Sequence, residues 1–191
     1  LVGSEMCIRD SIYAAYNLSG LYAEGYDGAG QTIVIMDWCG SPTILADANT
    51  FSKKFGLPQL TASNFNIITY PAASDCSGVD PQISLEVEWA HAIAPGANID
   101  LIIASNGTFE DLDEATFYAV SSGLGNVISG SYFSPETHVS RAEANKENLI
   151  SEIATVAGIA TNYAGSEWQT FLQHAPTFFV TLPADLPYAT G

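Results

Sequence analysis

Basic residues are scarce: 191 residues hold five Lys and Arg against 21 Asp and Glu, giving a formal charge of −16 with only 14% of residues charged. A soluble domain ordinarily carries about 25%. Nucleic-acid binding needs clustered Lys and Arg to release phosphate counterions, and an anionic membrane gives this surface no attraction, so the composition speaks against both partners. Long hydrophobic runs are missing too. Ile33 to Met36 and Leu101 to Ala104 fall far short of the roughly 18 apolar residues that a membrane span requires. Cysteine is limited to Cys7, Cys39 and Cys76, whose spacing matches no zinc or redox pattern. With Cys7 set aside, Cys39 and Cys76 either pair in an oxidising compartment or stay as two buried thiols.

What is present is apolar bulk. Hydrophobic residues make up 47% of the chain, enough for one domain with a sizeable core. Asp and Glu titrate near pH 4, so this surface becomes nearly neutral in acid. That fits secretion into an acidic medium, the alternative being a merely acidic cytosolic or halophilic domain. Residues 1–10 contain no hydrophobic stretch of signal-peptide length and resemble translated adapter sequence of the kind found in metagenomic assemblies. They are set aside as non-native, and 11–191 is read as one partial domain, with no repeat and no linker.

Strand and helix signals alternate. Gln31 to Asp37 and Asn98 to Ala104 are short, β-branched apolar runs that read as buried parallel strands. Asn126 to Tyr132, Gly158 to Tyr163 and Phe178 to Leu182 are further strand candidates. Thr43 to Phe55 ends on Lys53 and Lys54 before Gly56, a helix stop with cations in the last turn and glycine beyond it. Asp80-Pro81 supplies an N-cap followed by proline at the first helical position, opening a helix that runs to about Ala94. Phe109 to Ser121 and Arg141 to Ala157 complete the set. The expected architecture is a three-layer α/β/α sandwich, mainly parallel, with right-handed crossovers.

On the helix after Asp80, Gln82 and Glu86 are four residues apart and share a face. Spacing alone fits an ordinary solvent-facing polar stripe. The longer string from Gln82 through Glu86, His91 and Ala94-Pro-Gly-Ala97 to Asn98 resembles the sedolisin signature, in which Glu-x-x-x-Asp on a helix runs into Ala-Pro-Gly-Ala and a strand. Tyr16-Asn-Leu18, Gly28 to Asp37, Phe51 to Pro58, Val127 to Glu136 and Leu182 to Thr190 are similar to other stretches of that family, so the resemblance extends over residues 12–191.

The resemblance implies a subtilisin-like fold and a secreted peptidase that cleaves proteins in acid. A serine is the nucleophile, a Glu the general base and an Asp its support, while a second Asp stabilises the oxyanion. A carboxylate can take the serine proton where histidine would already be charged. Carried over by position, the base falls on Gln82 and its support on Glu86. An amide has no usable proton affinity, so Gln82 can orient a hydroxyl without accepting its proton. The oxyanion position falls in Asn162 to Glu167, where no Asp is present and Ser166 or Glu167 is the nearest substitute. Ser129, Ser131 and Ser134 lie where the family lines its substrate cleft. The family's Gly-Thr-Ser nucleophile turn and its calcium ligands are expected beyond Gly191, so the chain is expected to hold no cofactor and to be inactive alone.

Two other readings stay open. One is a non-catalytic sedolisin-like domain that binds peptides or serves as scaffold. The other is a subtilisin-like protease fragment, with Asp37 at a strand end and His91 as partner. In that case His91 should open a helix, whereas it lies late in one, and His138 and His174 lack a suitable context.

Overall fold

A computed structural model describes residues 2–71, 81–132 and 138–163, the side chains of 2–8 and 81 excepted. The described elements are α1 (Val2–Ala15), α2 (Leu18–Ala23), β1 (Thr32–Trp38), α3 (Ile44–Phe55), β2 (Phe65–Tyr70), α4 (Pro81–Ile93), β3 (Asn98–Ala104), α5 (Phe109–Ser121), β4 (Val127–Gly130), α6 (Arg141–Val156) and β5 (Ala160–Tyr163). The strands form one parallel sheet in the order β2-β3-β1-β4-β5.

Period-two alternation splits the core between two faces. Ile35, Ile99, Leu101 and Ile103 meet Ile44 and Ala48 of α3 and Ile83 and Val87 of α4. Val34, Met36, Ile102 and Ile128 meet Leu112, Ala115 and Ala119 of α5 and Ile150 and Ala154 of α6. The result is the expected three-layer α/β/α sandwich, with β1 and β3 buried on both sides, which is why their sequences read as unbroken apolar runs. Strand β2 gave no such signal. It is the edge strand, and Asn66, Ile67 and Thr69 are exposed, so no continuous apolar run marks it.

The helix ends follow their local chemistry. Gly56 closes α3 in the left-handed conformation after Lys53 and Lys54, and Ser140 with Glu143 forms a full capping box on α6. Residues 2–10, set aside on sequence grounds, are helical and belong to α1. From that helix Arg9 donates to the Phe55 carbonyl at 2.9 Å and stacks over the Phe55 ring.

One expectation about topology is corrected. From β1 to β2 the chain moves two places to one side through α3, and from β2 to β3 it moves one place back through α4. Both helices pack on the same face, so the two crossovers have opposite hands. The β3–α5–β4 and β4–α6–β5 connections, on the other face, share the hand of β1–α3–β2. Three crossovers therefore obey the right-handed rule and β2–α4–β3 breaks it. The reason is packing: α4 buries Ile83 and Val87 at 0% exposure against the face that α3 already covers.

The Ala94-Pro-Gly-Ala97 turn explains itself structurally. Gly96 N–H donates to the Asp27 carbonyl at 2.9 Å, and Gly28 sits so close that an added Cβ would lie 2.9 Å from Ala94 Cβ and 3.2 Å from the Ala97 nitrogen. Gly28 also has φ +91°, whereas nearby Gly30 has φ +78° with open space around it. Gly30→Ala should cost about 1–2 kcal/mol through backbone strain alone. Gly28→Ala should cost a further 1–3 kcal/mol, roughly, from overlap. Denaturant unfolding of the two variants checks the order, and equal losses would contradict it.

Candidate functional site

The carboxyl ends of β1 and β4 and the first turns of α4 converge. Asp37 is next to last in β1, and its alternation with Ile35 turns it toward the α3–α4 face, where it is 4% exposed. Its Oδ1 accepts the Trp38 N–H at 2.6 Å. Parallel register sets Ile35 beside Ser129 and Met36 beside Gly130, so Ser131 follows on the level of Asp37. Above this edge lies α4. Gln82 Nε2 donates to Glu86 Oε1 at 2.9 Å and to the Ser131 carbonyl at 3.0 Å.

The two residues expected to share a helix face are thus hydrogen-bonded, and Gln82 also ties α4 to the chain leaving β4. Ser131 enters through its backbone carbonyl. Ser129 is half-buried in β4. Ser134, Ser166, Glu167 and Phe178 to Leu182 lie outside the described residues.

Directly after Ser131 comes the ring of Tyr132. That ring packs under Gly130, where an added Cβ would meet Tyr132 Cε1 at 2.7 Å. It also stands edge-on to Tyr163 at 5.4 Å between centroids, and its hydroxyl lies 3.3 Å from that of Thr116. Burial raises the Tyr132 hydroxyl well above its ordinary pKa, so it stays a neutral donor. Sequence reading passed over this residue, and also over Trp38, which is 41% exposed at the end of β1 and lies against Gly107. An aromatic directly after a strand's terminal Asp was the available signal.

The Asp37–His91 alternative fails on geometry. His91 is 1% exposed, and its Nε2 lies 2.7 Å from the Pro58 carbonyl. It stands nine residues beyond Gln82, about 13 Å along the helix axis, away from the carboxyl edge that holds Asp37. No Asp–His dyad forms. His138 is exposed, and His174 lies outside the described residues. Among the described residues no group of three or more His, Cys, Asp or Glu could hold a metal, and no helix is long and apolar enough to cross a membrane. Cys39 is disulfide-bonded.

No family model matches the chain. Kumamolisin from Bacillus sp. (strain MN-32) is 27% identical over 175 residues, which is 87% of this chain. The chain spans only 31% of the length of that relative. Among solved structures, Pseudomonas sedolisin, a serine-carboxyl proteinase complexed with two molecules of pseudo-iodotyrostatin, is similar with a TM-score of 0.57 and 23% identity, over 70% of this chain and 38% of that one.

The solved neighbour shares this α/β fold. In sequence and fold the chain is similar to members of the sedolisin family.

Among the described residues, three carboxyl groups are pushed above their ordinary pKa, each chiefly by burial. They are Glu88, with Asp47 adding to the effect, Asp113, partly offset by Lys146 at 3.5 Å, and Glu147, to which Asp113 and Glu143 add. Such a group binds its proton more tightly folded than unfolded. Its contribution to stability therefore grows as pH falls through the folded-state pKa and is complete below the unfolded one. Exposed Glu143, held low by the hydroxyl and N–H of Ser140, opposes this only weakly. Thermal unfolding should show the melting temperature rising from pH 7 to about pH 5, and Asp113→Asn should flatten that rise. A temperature that falls steadily over the same range would contradict the reading.

Proposed function

We propose that residues 11–191 are the N-terminal part of a secreted, acid-acting sedolisin-type endopeptidase domain in which Gln82 occupies the general-base position, and that this chain alone does not cleave peptides. The carrying observation is the Gln82–Glu86 pair at the carboxyl edge of the sheet. It sits on the helix that leads into the Ala94-Pro-Gly-Ala97 turn and stands on the half-buried side of α4.

The chemistry limits what the pair can do. Glu86 can hold a proton, whereas an amide cannot accept one from a serine hydroxyl. Neither Gly-Thr-Ser nor a Gly-Asp-Ser-Gly turn occurs in the 191 residues. Ser166 or Glu167 is the proposed replacement at the oxyanion position, and calcium ligands are proposed for a part of the protein beyond these residues. A peptide substrate would run along the carboxyl edge past Ser129 and Ser131, with exposed Trp38 as an apolar contact. The Cys39 disulfide supports an oxidising compartment, and the raised carboxyls support folding in acid.

The non-catalytic reading is favoured by one observation, the commitment of the Gln82 amide to Glu86 and Ser131. Such a domain would bind peptides without cleaving them.

Incubating the chain with an unfolded protein in acid should give no cleavage, and cleavage that tracks the purified chain would sink the claim of inactivity. In a longer protein that supplies the serine, Gln82→Glu should raise kcat/KM about a hundredfold or more, the scale of a general base. No gain there would remove Gln82 from the base position.

A further inference from the structure

Helix α6 is thinly held. Of its 16 residues only Ile150 and Ala154 are buried, against six of the 13 in α5. Its apolar contribution to the core is therefore small, and the polar groups where it meets α5 carry a large share of the balance. Strand β5, which follows it, pairs with β4 over four residues and lies at the edge of the described sheet. The α6–β5 unit is placed to open before the β1–β3 centre of the sheet does.

The joint between α5 and α6 is charged on both sides. Asp113, 2% exposed on α5, lies 3.5 Å from Lys146 of α6. Glu143 and Glu147 flank Lys146 on the same helix, and Glu143 acts on both Asp113 and Glu147. Glu147 is half-buried, whereas Glu143 is exposed and caps α6 with Ser140. From the sheet come the hydroxyls of Tyr132 and Tyr163, neutral groups raised chiefly by burial, on which Asp113 also acts. With every carboxyl ionised, the joint sets Asp113, Glu143 and Glu147 against Lys146. Among the described residues no second cation offsets Asp113.

Protons shift that balance toward closure. Burial disfavours the ionised forms of Asp113 and Glu147, so both take up protons before Glu143, which its cap holds low. Glu143 and Lys146 then remain, one charge of each sign, three residues apart on one helix. The repulsion between the surplus charges disappears, and with it the desolvation cost of burying them. Each raised carboxyl binds its proton more tightly folded than unfolded. Closure is therefore favoured as pH falls through the folded-state pKa and weakened as pH rises through it.

We propose that α6 and β5 form a latch, closed onto α5 and β4 when Asp113 and Glu147 are protonated and opened locally when both are ionised. β5 ends in Tyr163, whose ring stands edge-on to that of Tyr132, the residue directly after Ser131. Opening removes that support from the β4 side of the candidate site while β1, β3 and α4 stay folded. The latch needs no peptide cleavage, so it can fail while the peptidase reading holds, and the reverse.

Hydrogen exchange of the 191-residue chain, followed by mass spectrometry and corrected for the pH dependence of the chemical rate, tests it. Between about pH 5 and pH 7, peptides from α6 and β5 should lose about tenfold in protection or more, the equivalent of one pKa unit. Peptides from β1 and β3 should not change. Asp113→Asn combined with Glu147→Gln should keep α6 and β5 protected at pH 7. Unchanged protection in α6, an equal loss in β1 and β3, or a pH dependence that survives in the double variant would each overturn the proposal. Should the double variant not fold, Glu147→Gln alone must reduce the loss, and an undiminished loss counts against the latch.

Discussion

Strand β1 is the constraint on which the molecule depends. It pairs with β3 along its full length and with β4 over four residues, and Val34, Ile35 and Met36 are all 1% exposed or less. A parallel strand buried on both faces can exist only if helices cover each side, so β1 requires α3 and α4 on one face and α5 and α6 on the other. Its two ends then serve different purposes. At the amino end, Asn126 and Asn98 fasten the incoming loops to Thr32. At the carboxyl end, the strand delivers Asp37 and Trp38 to the edge where the candidate site lies.

The placement of α4 follows from a topological exception. A crossover of the usual hand between β2 and β3 would lay α4 on the face of α5 and α6, away from the side to which Asp37 and Ser129 turn. The reversed hand puts α4 on that side, where Gln82 reaches the Ser131 carbonyl. The apolar face of α4 offsets the unusual connection: Ile83 and Val87 are fully buried, worth about 1.5–3 kcal/mol each on the transfer scale. The same helix thus contributes to the core and presents its polar pair to the site, which explains why so apolar a segment carries Gln82, Glu86 and Glu88 in its first two turns.

The electrostatics form a consistent pattern around acid. Few cations are available, and several carboxyls are packed where burial favours the neutral form. Glu88 faces Asp47 across α3 and α4, and Asp113 and Glu147 lie between α5 and α6. Gln82 is the exception within the pattern, a group that never ionises set among groups that do. That contrast separates resemblance from chemistry: the likeness to sedolisins rests on the fold and on the length of matched chain, whereas the chemistry open to residue 82 depends on a single side-chain type.

Local sequence was enough to set the layers. Apolar runs of fixed length, the Lys53-Lys54-Gly56 stop and the Pro81 start are local signals, and hydrophobic burial and helix-end chemistry act over a few residues. The same locality set the Gln82–Glu86 spacing on one helix face. Tertiary packing was needed to settle the edge strand β2, the hand of the β2–α4–β3 connection, the meeting of Gln82 with the Ser131 carbonyl and the packing of Tyr132 against Tyr163 and Thr116. Those depend on which face each helix finds free and on contacts between residues as much as 49 positions apart. A one-dimensional pattern records how apolar a segment is. It does not record which neighbour will cover it.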